Sequence, residues 1–281
     1  MKVIVAKSAG FCYGVRRALE LVEKTVASHR NAVFTLGPLI HNPQAIARLE
    51  EAGVRSVSNL DDVPAKFVIV MPTHGVPRDV VTRAKKLGLI VVDATCPYVR
   101  KVHRLAEDLV RDGYQIIVLG DRHHSEVRGI LSRAGDNAIA ISGTEELRDI
   151  ELREHVGILA QTTQSVERYK QVVAAVSEKI KDVRASNTIC SATLERQRDA
   201  LALTEHADVV VVVGGRNSAN TRRLAEICQS TNVPTYQVEV EEEIDPAWFK
   251  NARIVGVTAG ASTPDWIISS VVERLLTISP A

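Results

Sequence analysis

The chain has 281 residues, 45% of them hydrophobic and 25% charged, and its 35 basic and 34 acidic side chains leave a net charge of +1. That is the balance of an ordinary globular protein in water, long enough for two or three domains that each bury a core. Aromatics at 4% without a basic patch argue against a nucleic-acid platform, and no run approaches the ~18 apolar residues a membrane span needs.

The first residues, MKVIVA, read directly as a strand with no leader-like segment, so a cytosolic protein is expected. From there a short β-branched run, a polar or glycine-containing turn and a helix-period segment recur. In chain order the runs are VIVAKSAGFCYG from Val3, FVIVMPTHGV from Phe67, LIVVDATCP from Leu89 and QIIVLGDRHHSE from Gln115. VGILAQTTQS from Val156, VVVVVGGRNSAN from Val209 and RIVGVTAGAST from Arg253 complete the series. Continuous Val/Ile runs suggest parallel strands buried on both faces, with amphipathic helices such as those after Gly14 and Thr221 between them. This alternation implies an α/β fold whose ligand sites lie in the turns at the carboxyl ends of the strands.

Four cysteines, Cys12, Cys96, Cys190 and Cys228, are present. In a reducing compartment they are not a disulfide framework, and without a CxxC pair they exclude zinc knuckles and ferredoxin-type loops. Cys228 falls on the apolar side of a helix and reads as core. The other three each end an extended run and open a helix, where a thiol packs poorly and a thiolate is favoured. They lie 84 and 94 residues apart, near one small domain each, so three α/β units about a common centre would gather them. Three thiolates suit zinc or an iron–sulfur cluster.

Among the histidines, His41, His74 and His124 each follow an apolar run and could bind metal or, when protonated, phosphate. His29, His103, His155 and His206 read as solvated, and His123 is ambiguous. Glu126 reads locally as a first-turn charge that complements a helix dipole. The turns at Thr162-Thr163, at 217–220 and at Ser262 fit helix N-caps and equally fit anion sites. Gly214, Gly215 and Gly260 would allow a ligand close to the backbone. Neither GxGxxG nor a P-loop occurs, which leaves nucleotide binding without support.

Taken together, these turns resemble the IspH/LytB family of 4-hydroxy-3-methylbut-2-enyl diphosphate reductases of the methylerythritol phosphate pathway. The matching segments are GlyPheCysTyrGlyVal at 10–15, HisAsnPro at 41–43, ThrHisGlyVal at 73–76, AspAlaThrCysPro at 93–97 and HisSerGluVal at 124–127. GlnThrThr at 161–163, CysSerAlaThr at 190–193, AsnSerAlaAsn at 217–220 and ValThrAlaGlyAlaSerThrProAsp at 257–265 continue them in family order. Each is weak alone; the ordered set is specific. The resemblance implies three small α/β/α lobes in a pseudo-threefold, trefoil-like arrangement around a central [4Fe–4S] cluster, with lobes at 14–96, 97–190 and 191–281 joined by 1–13. It implies cluster ligation by Cys12, Cys96 and Cys190, which leaves one iron without a cysteine and open to loss, giving a [3Fe–4S] form in air. It assigns the substrate diphosphate to His41, His74, His124, Ser218, Ala219, Asn220 and Ser262. Glu126 becomes a proton donor, against its local reading, and Thr162 a neighbour of the substrate hydroxyl.

The implied reaction is reductive dehydroxylation of an allylic diphosphate to isopentenyl and dimethylallyl diphosphates. Ferredoxin or flavodoxin would serve as electron donor, with no nucleic-acid or membrane partner. Several positions depart from the common pattern. Ala219 replaces a frequent serine, Ser125 a frequent proline, and Ser191 and Leu194-Glu195 the usual Tyr and Thr-Asn. A zinc hydrolase and a cluster-binding redox sensor are the alternatives; iron and sulfide content and turnover separate them.

Overall fold

The structure, a computed structural model, describes residues 1–29 and 32–278. Strand β1 (Lys2–Val5) and helix α1 (Tyr13–Ser28) open the chain. There follow β2 (Val33–Leu36), α2 (Pro43–Glu51), β3 (Arg55–Val57), β4 (Val68–Met71), α3 (Arg78–Lys86) and β5 (Ile90–Asp93). Next come α4 (Pro97–Arg111), β6 (Gln115–Leu119), α5 (Ser125–Ala134), β7 (Ala138–Ile141), β8 (His155–Ala160), α6 (Val166–Ser177) and β9 (Asp182–Ala185). The last stretch holds α7 (Ser191–Thr204), β10 (Val209–Val213), α8 (Ala219–Gln229), β11 (Thr235–Val238), β12 (Ile254–Ala259) and α9 (Asp265–Leu276).

The strands form three four-stranded sheets in which every pairing is parallel, so the α/β expectation holds. Read from the strand that leads to a cysteine, the orders are β1-β12-β10-β11, β5-β4-β2-β3 and β9-β8-β6-β7. The same four places recur in each sheet, which makes the weak repeat of element order a structural one.

Contacts divide the residues into two compact units. One comprises Met1–Arg16, Ile40–Ala47 and Ser191–Ala281; the other comprises Arg17–Leu39 and Arg48–Cys190. In the first unit, the valine run of β10 shows why it must be a strand covered on both faces. Val209, Val211 and Val213 pack with Val255, Val257 and the α9 residues Ile267, Val271 and Leu275. Val210 and Val212 point the other way, onto Ala200 of α7 and Leu224 and Cys228 of α8. Period-two alternation thus feeds two cores. In the second unit β6 does the same, sending Ile116 and Val118 toward Val102, Ala106 and Leu109 of α4, and Ile117 and Leu119 toward Tyr169, Val172 and Val176 of α6.

Two expectations about strands need correction. β1 and β5 are not buried on both faces: each is an edge strand whose end residues are exposed. Five strands, β2, β3, β7, β9 and β11, lie outside the seven apolar runs, and all but β2 sit at sheet edges. Among the described residues no helix is long and apolar enough to cross a membrane.

Candidate active site

In every sheet the candidate residues occupy equivalent places. A cysteine follows the first strand: Cys12 after β1, Cys96 after β5 and Cys190 after β9. The loop after the second strand carries Ser262, His74 or Thr162. The loop after the third carries Ser218, His41 or His124, with Asn220 and Glu126 in the first turn of the helix that Ser218 or His124 caps. Parallel strands put all these loops at the carboxyl ends of their own sheet.

Each cysteine is tied by its backbone to the neighbouring loop of that sheet. Cys12 N–H donates to the Ala261 carbonyl at 3.0 Å, beside Ser262. Cys96 N–H donates to the Thr73 carbonyl at 2.9 Å, beside His74, and Cys190 N–H donates to the Thr162 carbonyl at 3.1 Å. All three cysteines are partly exposed, are not disulfide-bonded and stand immediately before a helix. Cys228 is the contrast: fully buried on α8, with its thiol pushed up to about 11 by burial. It is core, as expected. Cys12 belongs to one unit and Cys96 and Cys190 to the other. Among the described residues no group of three or more His, Cys, Asp or Glu side chains forms a metal-ion site.

In the first unit, Asn42 caps α2 by accepting from Ala45 N–H at 2.8 Å, which holds His41 just ahead of the helix. Ser262 Oγ donates to the His41 carbonyl at 3.1 Å. Burial, then the charge of Arg222, lowers the His41 pKa, so the ring is neutral at physiological pH. Ser218 is the N-cap of α8 and accepts from Thr221 N–H at 3.3 Å. Asn220 is buried in the same turn, and its Nδ2 has no hydrogen-bond partner in the protein. Ala219 beside it is partly exposed. Arg196 of α7, itself buried, donates to the Gly10 carbonyl at 2.6 Å and steadies the loop that leads to Cys12.

The expectation that Gly214, Gly215 and Gly260 open the backbone to a ligand is not met. A Cβ at Gly260 would lie 2.1 Å from Thr221 Oγ1, one at Gly214 would lie 2.4 Å from Thr263 Oγ1, and one at Gly215 would lie 2.8 Å from the His41 carbonyl. The missing side chains make room for the protein itself.

In the second unit, Glu126 sits in the first turn of α5 but is only 3% exposed, so it is not a solvated charge at a helix start. Its carboxylate is clasped by Thr162, whose N–H donates to Oε1 at 2.6 Å and whose Oγ1 donates to Oε2 at 2.9 Å. Burial raises the carboxyl pKa to about 7, outweighing these two bonds, which act to lower it. His124 caps α5: its Nδ1 accepts from Glu126 N–H at 3.1 Å. An accepting Nδ1 cannot carry a proton, so the ring is neutral with its hydrogen on Nε2, an assignment made from this bond. The His74 ring meets it edge-on, with centroids 6.3 Å apart.

Of the histidines read as solvated, His29, His155 and His206 are exposed, and so is His123. His155 nonetheless pairs with Asp182 at 2.6 Å. His103 contradicts the expectation. It is 5% exposed because α4 turns it inward with Val99, Val102, Ala106 and Leu109. Its place on that apolar stripe was the available signal. Asn42 and Arg196 are further site residues outside the sequence expectations; Asn-Pro ahead of a helix is a cap signature that points to the first.

Comparison with known proteins agrees with this arrangement. The model of the LytB protein family matches residues 3–276. A protein of Anaeromyxobacter sp. (strain K) named 4-hydroxy-3-methylbut-2-enyl diphosphate reductase is 46% identical over 275 residues, covering 98% of this chain and 99% of that one. The protein of the same name from Aquifex aeolicus is 41% identical, covering 97% of this chain and 95% of its own. A solved structure of (E)-4-hydroxy-3-methyl-but-2-enyl diphosphate reductase, described as the terminal enzyme of the non-mevalonate pathway, is 41% identical with a TM-score of 0.72, covering 99% of this chain and all of that one. The E-1-hydroxy-2-methyl-but-2-enyl-4-diphosphate reductase of Plasmodium falciparum gives a TM-score of 0.95 at 28% identity, covering 98% of this chain and 88% of that one. With a family match running through both units and relatives above 40% identity along nearly their whole length, the chain belongs to the LytB family of 4-hydroxy-3-methylbut-2-enyl diphosphate reductases.

Proposed function

We propose that this chain reduces (E)-4-hydroxy-3-methylbut-2-enyl diphosphate to isopentenyl and dimethylallyl diphosphates, with Cys12, Cys96 and Cys190 as ligands of a [4Fe–4S] cluster. The observation that carries the reading is the buried Glu126–Thr162 pair, a carboxyl group poised near neutrality. The donor set fits such a cluster: three partly exposed cysteines at helix starts, with the fourth sealed in the core. When bound, the cluster supplies two electrons and, at the iron without a cysteine, Lewis acidity toward the departing hydroxyl; loss of that iron in air leaves a [3Fe–4S] form.

The remaining work belongs to the protein. Asn220 Nδ2, the Ser218 hydroxyl and the imidazoles of His41, His74 and His124 hold the diphosphate, Ser262 joins them by turning its hydroxyl away from the His41 carbonyl, and the start of α8 adds its positive end. Ala219 contributes its backbone there. His124, with hydrogen on Nε2, donates without being charged. Thr162 lies beside the substrate hydroxyl and orients Glu126. At a pKa of about 7 Glu126 is protonated in much of the population at neutral pH and gives its proton to the leaving hydroxyl, which departs as water. A second proton on carbon, at either end of the allylic system, yields the two products and balances two electrons and two protons. Ferredoxin or flavodoxin is the proposed electron source, in the cytosol.

The lobes of this reading are 14–96, 97–190 and 191–281 with 1–13, in a trefoil-like arrangement about the cluster; one four-stranded sheet falls within each span. Anaerobic purification with iron and sulfide analysis, followed by turnover with a strong reductant, tests the whole. A colourless protein with one zinc, or a cluster-loaded protein that never consumes the diphosphate, would overturn it.

A further inference from the structure

His103 is a buried imidazole to which the reaction assigns no part. Its ring fills the space between two backbones of the second unit. A Cβ at Gly75 would stand 2.8 Å from His103 Cε1, and a Cβ at Gly129 would stand 2.9 Å from His103 Nε2. Both distances are too short for any real side chain, so the two glycines and the ring are a matched set.

Both glycines bear on the ring, Gly129 more directly, because nothing in a helix calls for glycine there. Gly129 lies inside α5, where glycine destabilises a helix by about 1 kcal/mol relative to alanine. Gly75 has φ +75, which glycine alone adopts freely, and it too has the ring directly above its Cα. Gly75 adjoins His74, and Gly129 lies one turn after Glu126 on the helix that His124 caps. The ring therefore stands between the loop that carries His74 and the helix start that carries His124. Burial keeps it neutral, with a pKa of about 4 set first by desolvation and then by Arg133, so the spacer does not change charge in the physiological range.

We infer that His103 is a positioning residue, a spacer between Gly75 and Gly129 that sets the separation of His74 and His124. This rests on the reading of those two histidines as diphosphate donors. Taking the ring away lets α5 settle toward the β4 loop and closes the 6.3 Å gap between the imidazoles. Glu126 keeps its two bonds to Thr162, which do not involve the ring.

The test is steady-state kinetics on the cluster-loaded enzyme. His103→Ala is expected to raise KM for the diphosphate about tenfold while kcat falls no more than about threefold. Gly129→Ala, which forces a methyl group against the ring, is expected to raise KM similarly. The double variant, in which the methyl enters the vacated space, should recover to within about threefold of wild type, and His103→Gln should retain most of the affinity. If the single variants lower only the melting temperature with KM unchanged, or if the double variant shows the product of the two single effects, the inference is wrong. Should His103→Ala fail to fold, Gly129→Ala and His103→Gln carry the same readout. His124→Asn is the control: if it leaves KM unchanged the diphosphate reading fails, whereas if it raises KM and the size swap shows no coupling only the spacer fails.

Discussion

Thr162→Val deletes one hydroxyl from the clasp on Glu126 and keeps the side chain's shape. The variant loses the 2.9 Å bond from Oγ1 to Oε2 and retains the 2.6 Å bond from the backbone N–H to Oε1. Both residues are buried, at 6% and 3% exposure, so bulk water does not replace the lost donor. A hydrogen bond to a charged group is worth about 1.5–3 kcal/mol, and 1.36 kcal/mol corresponds to one pKa unit. Because that bond favours the carboxylate, its loss moves the Glu126 pKa upward, by about one to two units from its value of about 7. If Glu126 must be protonated to act, wild-type kcat/KM is highest below pH 7 and falls as pH rises through it. In the valine variant the plateau should extend to higher pH. A pH profile of kcat/KM on the cluster-loaded enzyme locates the falling limb, and the carboxylic C=O band of isotope-labelled Glu reports the protonated form directly. Thr162 is also proposed to lie by the substrate hydroxyl, so the rate can drop at every pH, but the position of the limb is a separate reading. A limb that stays in place or moves to lower pH would refute the assignment.

Glu126→Gln should reduce turnover by about 10²–10⁴ while the enzyme still binds the diphosphate, measured by kcat and KM together. The same substitution tests linkage to stability. The folded pKa is raised above the unfolded 4.5 to about 7, so the native state binds this proton more tightly; the stability gained is full below pH 4.5 and lost as pH rises through 7. The loss between pH 5 and pH 8 is about 2.5 kcal/mol at 1.36 kcal/mol per unit. Urea unfolding of wild type should show that extra decline and the Gln variant should not; equal declines would contradict the burial argument. Cys12→Ser, Cys96→Ser and Cys190→Ser should each lose most of the iron and sulfide found by chemical analysis, whereas Cys228→Ala should keep both. Asn42→Ala removes the cap of α2 at a loss of about 1 kcal/mol, read as a melting temperature lower by about 2–4 °C, together with a higher KM as His41 loosens.

Much of this was legible in the chain because parallel sheets covered on both faces demand long apolar runs. The valines of β10 could be nothing else. The turns after such runs had to fall at the carboxyl ends of the strands, and His74, His124, Thr162 and Ser218 do. Short edge strands were illegible for the opposite reason. β9, with sequence DVRA, buries too little to leave a pattern, and its place is set by pairing with β8. Glu126 shows how far local position misleads, since its fate depends on Thr162, 36 residues away. The glycines of 214–215 and 260 belong to the same class. Whether a bare backbone faces a ligand or a threonine is decided by the neighbouring strand's loop.

The hydrogen bond from Cys12 N–H to the Ala261 carbonyl has a consequence in time. The other two sheets are each encoded by one continuous stretch and can complete as the chain leaves the ribosome. β1 precedes the rest of its sheet but pairs only with β12, so it waits for 249 further residues, from 12 to 261, before its loop is anchored. At ~5–20 residues per second that delay is about 12–50 s. Any ligand set that includes Cys12 is therefore assembled only after β12 has been made, and a nascent chain stalled before β12 carries that cysteine with no sheet to hold it.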